Sequence, residues 1–259
     1  MDKEIDGRLI RQRFMAENKH SNIPTDIINF VNREKMQNSF KLYIFLKRYG
    51  SGIVRINKEC IADYLKTTGH KTKKTFWNNI KKLQEQGFIQ YNKNTDWCHI
   101  IAFREICYKH NLKIKSGVIF TQIDYKNFRG FLASTSIKKA IWLVRHKRKD
   151  NEYLKRYSKS YFSDGVPVSN SFLSNYVGTS VSSARRMKVN MTNSGYGTYK
   201  KSLDPIVWSV NEYLLARKSK NLEDGCFYKI IQDRVYQVMP DKCTSFLKFR
   251  RRGNKMQKK

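Results

Sequence analysis

The stretch Leu173-Ser174-Asn175-Tyr176-Val177-Gly178-Thr179-Ser180-Val181-Ser182-Ser183-Ala184-Arg185-Arg186-Met187 decides how this chain is read. Val168 closes a short strand ahead of it, and Ser169 can cap a helix whose apolar positions are Phe172, Leu173, Tyr176 and Val177. Gly178 and Thr179 turn the chain. Ser180 then caps a second helix that buries Ala184, Met187 and Met191, until Gly195 ends it and Tyr196 starts an extended segment. The same succession stands earlier in the chain. Ile56 ends an apolar stretch, Asn57 can cap, and Lys58 to Lys66 reads as a helix burying Cys60, Ile61, Tyr64 and Leu65. Thr67, Thr68 and Gly69 break it, and Thr72 caps a helix with Phe76, Ile80 and Leu83 on its apolar face. Gly87 ends that helix. Phe88, Ile89 and Tyr91 begin a strand, Asn92 to Asp96 form a turn, and Trp97 to Phe103 return as a second strand.

The two stretches pair at fixed spacings. At 112 residues, Ile56, Cys60, Ile61, Tyr64 and Leu65 match Val168, Phe172, Leu173, Tyr176 and Val177. At 108 residues, Thr72, Thr75, Phe76, Leu83, Gly87 and Phe88 match Ser180, Ser183, Ala184, Met191, Gly195 and Tyr196. The match is imperfect, because Met187 falls opposite Asn79 and Lys188 opposite Ile80. The change of spacing implies a turn four residues longer in the first copy. A leading helix precedes each copy, with Phe40, Tyr43, Ile44 and Leu46 in one and Ile137, Ala140, Ile141, Leu143 and Val144 in the other. Ile53 to Ile56 supplies the short strand of the first. One unit present twice is the organisation this predicts.

Leu173 to Met187 resembles a helix-turn-helix, with its buried Leu, a small residue beside it, Gly at the turn, and Ala and Met inward on the second helix. The first copy, Ile61-Ala62-Asp63-Tyr64-Leu65 through Thr75-Phe76-Trp77 to Leu83-Gln84-Glu85-Gln86-Gly87-Phe88-Ile89, is similar to a winged helix-turn-helix, whose recognition helix runs into a hairpin wing. The resemblance covers about residues 36–103 and 136–200 and implies binding of duplex DNA. Tandem winged helices are similar to phage and plasmid replication initiators and mobile-element regulators. The fold class it implies is mainly α with small β wings (α+β), two winged helix-turn-helix units in tandem. The expected divisions are an N-terminal extension with a helix (1–35), the first unit (36–111), a connecting strand or linker (112–135), the second unit with a C-terminal hairpin (136–249) and a basic tail (250–259).

Charge points the same way. The 259 residues carry 52 Lys+Arg against 21 Asp+Glu, a net charge of +31, so polyanions are the natural partners. The acids are unevenly spread. None lies between Asp63 and Glu85, none between Asp164 and Asp204, and none after Asp241. Avoidance of phosphate repulsion gives both internal gaps a cause, the first holding the second helix of its copy and the other both helices. From Arg250 on, Arg250, Arg251 and Arg252 read as the start of a flexible polycationic tail.

If the second helix of each unit enters a major groove, the residues off its buried stripe face DNA. In the first copy these are Lys71, Thr72, Lys73, Lys74, Thr75, Asn78, Asn79 and Lys82, with Lys93 at the wing tip. In the second they are Ser180, Ser182, Ser183, Arg185, Arg186, Lys188 and Asn190. Arg185, Arg186, Asn78 and Asn79 have side chains that can read guanine or adenine edges, while the lysines and hydroxyls suit phosphate. A solvated basic helix face is the plainer reading of the same residues. Trp77 sits on a flank of its helix, where packing under the leading helix is the favoured expectation and contact with the DNA backbone the other.

Outside the copies, Pro24 precedes a helix over Thr25 to Arg33 that either packs on the first unit or dimerises. Val118 to Ile123 reads as a strand followed by a turn at Gly130, Val207 to Arg217 as a helix, and Phe227 to Ile231 with Val235 to Met239 as a hairpin. The five cysteines form no Cys-x-x-Cys pair, which argues against a disulfide framework and for a reducing, cytoplasmic setting. Cys98, His99, Cys107 and His110 match no compact zinc spacing, so no metal and no cofactor is expected. No phosphate-binding loop, relaxase His pair or nucleophile elbow occurs, and an enzyme is not expected; a nuclease is the reserve. The longest apolar runs, Leu42 to Leu46 and Ala140 to Val144, are far below the ~20 residues of a spanning helix. Double-stranded DNA and a second copy of the chain are the expected partners. The function expected is sequence-specific duplex binding in transcription or replication of a phage- or plasmid-type element; nonspecific packaging or single-strand binding is the alternative.

Overall fold

The computed structural model describes residues 21–50, 52–70, 72–114, 116–149, 165–206, 208–219 and 228–251. In chain order these form β1 (Ser21–Pro24), α1 (Thr25–Arg33), α2 (Gln37–Tyr49), β2 (Ile53–Arg55), α3 (Lys58–Thr68), α4 (Lys73–Glu85), β3 (Ile89–Tyr91), β4 (Trp97–Ile100) and α5 (Phe103–Lys109). There follow β5 (Ser116–Phe120), a 3-10 turn (Ile123–Tyr125), α6 (Phe128–Lys149), β6 (Val166–Pro167), α7 (Asn170–Val177) and α8 (Val181–Asn193). The chain continues through β7 (Gly197–Pro205), α9 (Val210–Lys218), β8 (Tyr228–Ile231), β9 (Arg234–Ser245) and β10 (Phe249–Arg251). The protein is therefore α+β, with helices packed around three small antiparallel sheets.

Local chemistry accounts for the two-helix segments. Asn57 Oδ1 accepts the amide of Cys60 at 2.8 Å, and Ser169 Oγ accepts that of Phe172 at 3.0 Å, so α3 and α7 begin on the same type of cap. Gly69 and Gly178 end these helices at φ 72° and 75°, the left-handed region where a side chain is strained. Thr72 and Ser180 then cap α4 and α8 through the amides of Thr75 and Ser183. Helices α3 and α7 start 112 residues apart, but α3 runs three residues further. Most of the extra length of the first copy thus prolongs a helix rather than the turn.

The repeat extends to hydrogen-bond register. The order is β2-β4-β3 in one sheet and β6-β9-β7 in another, where β8 also pairs with β9; the first strand lies beside the last in both. Val54 pairs with Cys98 and Tyr91 with Cys98; Val166 pairs with Cys243 and Tyr199 with Cys243. Ile89 faces Ile100 as Gly197 faces Ser245. Contacts beside the ladders repeat too: Ile56 N donates to Asp96 O as Val168 N donates to Asp241 O, and Ile101 N to Phe88 O as Phe246 N to Tyr196 O. The second copy differs by an insertion after β7. There α9 and the β8–β9 hairpin extend the sheet, and the hairpin turns at Gln232 and Asp233 with positive φ at both.

One continuous apolar core joins the copies. A relay of rings crosses it, from Phe88 to Phe40 (6.1 Å), Phe128 (6.3 Å), Phe120 (5.7 Å), Phe131 (5.2 Å) and Tyr196 (6.0 Å). Its ends, Phe88 and Tyr196, are equivalent residues of the two copies. Helix α1 has the predicted bounds, yet it lies between the copies rather than on the first alone. Asn29 donates to the Tyr176 hydroxyl at 2.7 Å and accepts from Ser136 at 2.7 Å, while Asn32 donates to Ser136 at 3.0 Å.

Several expectations are corrected. Gly130 is no turn but lies inside α6, where a Cβ would stand 2.0 Å from Ser194 Oγ and 2.8 Å from Asn190 O. Glycine there permits close packing of α6 on α8. The strand expected to reach Ile123 stops at Phe120, because the Asp124 carboxylate takes the amide (2.6 Å) and hydroxyl (2.9 Å) of Thr121 and bends the chain. The strand expected to reach Phe103 stops at Ile100, and Phe103 opens α5. Arg250 and Arg251 are not in a free tail. They belong to β10, which pairs with β5, itself paired with β1. Arg252 lies outside the described residues.

Candidate nucleic-acid interface

The second helices, α4 and α8, present the surfaces in question. Phe76, Asn79, Ile80 and Leu83 of α4 are buried, as are Ala184, Met187, Lys188 and Met191 of α8, so each helix turns equivalent positions inward. Outward on α4 stand Thr72, Lys73, Lys74, Trp77, Asn78 and Lys81, with Thr75 half-buried. Outward on α8 stand Ser180, Val181, Ser182, Arg185 and Arg186, with Ser183 half-buried. Asn78 and Arg186 occupy equivalent positions, as do Trp77 and Arg185. Neither outward face carries an acid before Glu85 at the end of α4. Lys71 lies outside the described residues. Lys93 is exposed at the turn between β3 and β4.

Hydroxyls preorganise the start of each helix. The Thr72 and Thr75 hydroxyls lie 2.8 Å apart, and the Ser180 hydroxyl donates to that of Ser183 at 3.0 Å. Arg186 Nη2 donates to Ser183 Oγ at 3.3 Å, which leans the guanidinium toward the N-terminus of α8, the end that favours anions. Arg185 is exposed.

Four predicted contact residues are placed elsewhere. Asn79 is buried and accepts from Ser39 Oγ at 2.9 Å, tying α4 to α2. Lys188 is buried, its ammonium 2.8 Å from Asp241 Oδ2 and 2.6 Å from Val168 O, so it meets no phosphate. Lys82 is half-buried and caps the end of α1 through the carbonyls of Glu34 (3.3 Å) and Lys35 (3.2 Å). Asn190 is half-buried beside Gly130 of α6. In each case a neighbouring element covers a position that a lone helix would leave open.

Two outward residues, Lys81 and Val181, were missed by sequence reasoning. Lys81 follows Trp77 by four residues on the exposed face, a spacing that could have revealed it. Trp77 is 39% exposed, and its ring lies 5.6 Å from that of Tyr91 on β3. It braces the helix against the hairpin and is not under α2. Trp97, on β4, is also exposed.

The Cys/His group has an ordinary explanation. Cys98 and Cys107 are buried, while the His110 ring lies 4.4 Å from Phe30 and bonds to Gln86 O. Among the described residues no three His, Cys, Asp or Glu side chains are gathered as a metal would need. No helix among them is long and apolar enough to cross a membrane. Comparison with protein-family models, with curated proteins and with solved structures returns no match for this chain.

Proposed function

We propose that the chain is a sequence-specific double-stranded DNA-binding protein built from two winged helix-turn-helix units, serving transcription or replication of a phage- or plasmid-type element in a bacterial cytoplasm. The observation that carries this reading is the shared architecture: two copies with the same strand order and register, each exposing a second helix whose outward face is largely basic or hydroxyl-bearing, with no acid before Glu85 at the end of α4. A helix of this kind fits the major groove, and the hairpin between β3 and β4, with Lys93 at its turn, supplies a wing. The second wing is the enlarged β7–β9 region. Arg185 and Arg186 are the candidate base readers of the second unit and Asn78 that of the first, while Lys73, Lys74, Lys81 and Lys93 suit phosphates.

Selection of bound fragments from random duplex DNA at two salt concentrations tests the reading. A recovered motif that persists at the higher salt supports it. Binding without a motif, equal for single and double strands, would instead favour the nonspecific alternative, for which the net charge alone suffices.

A further inference from the structure

A cavity of about 350 Å³ opens where the two copies meet. Lys41 of α2 and His70, in the turn before α4, line it from the first copy. Lys126, Asn127 and Arg129 line it from the start of α6, and Asn193 from the end of α8. No carboxylate is among its lining residues, and among the described residues none forms an ion pair with Lys41, Lys126 or Arg129. Lys41 is 9% exposed; its ammonium gives one hydrogen bond, to Thr68 O at 2.7 Å, out of three available. His70 Nε2 is buried with no partner, its ring stacked 5.5 Å from Tyr64. The first amides of α6, at Phe128 to Gly130, border the same space, adding the positive end of a 22-residue helix.

Such a gathering is unfavourable when empty of negative charge. Burial and then Arg129 lower the pKa of Lys41; burial, Lys41 and Arg129 lower that of His70. An anion placed among these groups would relieve both effects and supply the absent acceptors.

We infer that this junction cavity is a binding site for a phosphate group, held by Lys41, Lys126, Arg129 and the start of α6, with His70 donating from its unpartnered nitrogen. Phosphate spreads its charge over several oxygens, so converging donors on different walls can each meet their own acceptor, whereas a halide offers them a single atom. The volume leaves room for the ester portion of a phosphorylated small molecule. The phosphate could equally belong to the backbone of bound DNA, since the turn before α4 forms one wall. For a free phosphate ester the inference stands apart from the proposed function, because loss of phosphate binding would leave duplex binding untouched; for a backbone phosphate it rests on that reading, and Arg129→Gln should then weaken duplex binding as well.

Isothermal titration of the full chain with inorganic phosphate, at pH 7 against chloride of equal ionic strength, is the test. Saturable binding is expected, with a shift of the His70 ring resonance. Arg129→Gln should weaken it about tenfold or more, the loss of one charge-assisted hydrogen bond. Arg129 and Lys126 are exposed, so Arg129→Gln and Lys126→Gln should leave the fold intact, as their unfolding midpoints would verify. Repetition in the presence of duplex separates the sources. Unchanged phosphate affinity assigns the site to a free phosphate ester, whereas competition abolished by Arg129→Gln assigns it to backbone phosphate. A heat no different from chloride, or equal affinity in both variants and the parent, would overturn the inference.

Discussion

The Lys188 ammonium stands 2.8 Å from the Asp241 carboxylate, with the lysine side chain 1% exposed and the aspartate 18%. Its equivalent in the first copy is Ile80, a plain apolar contact. The second copy has therefore replaced one core side chain by an ion pair that also ties α8 to β9 and to the backbone of Val168. Removal of one member of such a pair leaves the other charge buried or poorly solvated. Asp241→Ala should lower stability by about 3–5 kcal/mol in urea unfolding. Lys188→Ala should also destabilise, yet leave the salt dependence of DNA binding unchanged at saturating folded fraction. A reduced salt slope in Lys188→Ala would mean that the ammonium reaches phosphate after all.

Duplex binding should weaken steeply with salt. If the two units neutralise about 6–10 phosphates, affinity falls by about three to five decades between roughly 50 and 200 mM salt. A flat response in a fluorescence anisotropy series would remove electrostatic capture from the account.

Arg185 and Arg186 divide the recognition surface of α8. A guanidinium forked onto guanine discriminates by about 1–3 kcal/mol, so Arg186→Ala or Arg185→Ala should relax preference at one or two base positions with the fold intact. Lys74→Ala, by contrast, should weaken all sequences alike. If both arginine variants retain the parent's sequence preference, the second unit is not the reader, and Asn78→Ala becomes the decisive variant.

Gly130 holds α6 against α8, because any Cβ there would overlap Ser194 Oγ and crowd Asn190 O. Gly130→Ala gains up to about 1 kcal/mol of helix propensity, but it forces two packed helices apart at a cost of about 1–3 kcal/mol. Net destabilisation in thermal unfolding is expected. A more stable variant would show that the two helices can separate freely.

Burial pushes the Cys60 thiol up to about 11, Cys98 to about 12 and Cys243 to about 11. The thiolate reacts, not the thiol, so these cysteines should resist a disulfide reagent at pH 8 until the protein unfolds. Cys226→Ser, at a position outside the described residues, makes the measurement clean. The unfolded thiols ionise near ~8.5. Above that pH the unfolded chain holds fewer protons than the native one, so stability should fall as pH rises from there. Rapid labelling of the native variant at pH 8 would contradict the burial.

The sequence by itself determined what depends on near neighbours. Asn57, Thr72, Ser169 and Ser180 cap helices because a short oxygen side chain reaches an amide three residues on, and Gly69 and Gly178 end helices because only glycine enters the left-handed region without strain. The spacing of apolar residues likewise carried the two copies and helix α1. Only the tertiary structure decided which polar side chains lie on the outward faces. Asn79, Lys82, Lys188 and Asn190 have the spacing or chemistry of contact residues, but α2, α1, β9 and α6 arrive from elsewhere in the chain to cover them. The β1-β5-β10 sheet was hidden for the same reason. Ser21 pairs with Phe120, and Phe249 with Val118, across separations at which no local pattern names the partner. A backbone hydrogen bond is indifferent to side-chain identity, so such pairings follow from how the whole core packs rather than from any short stretch of residues.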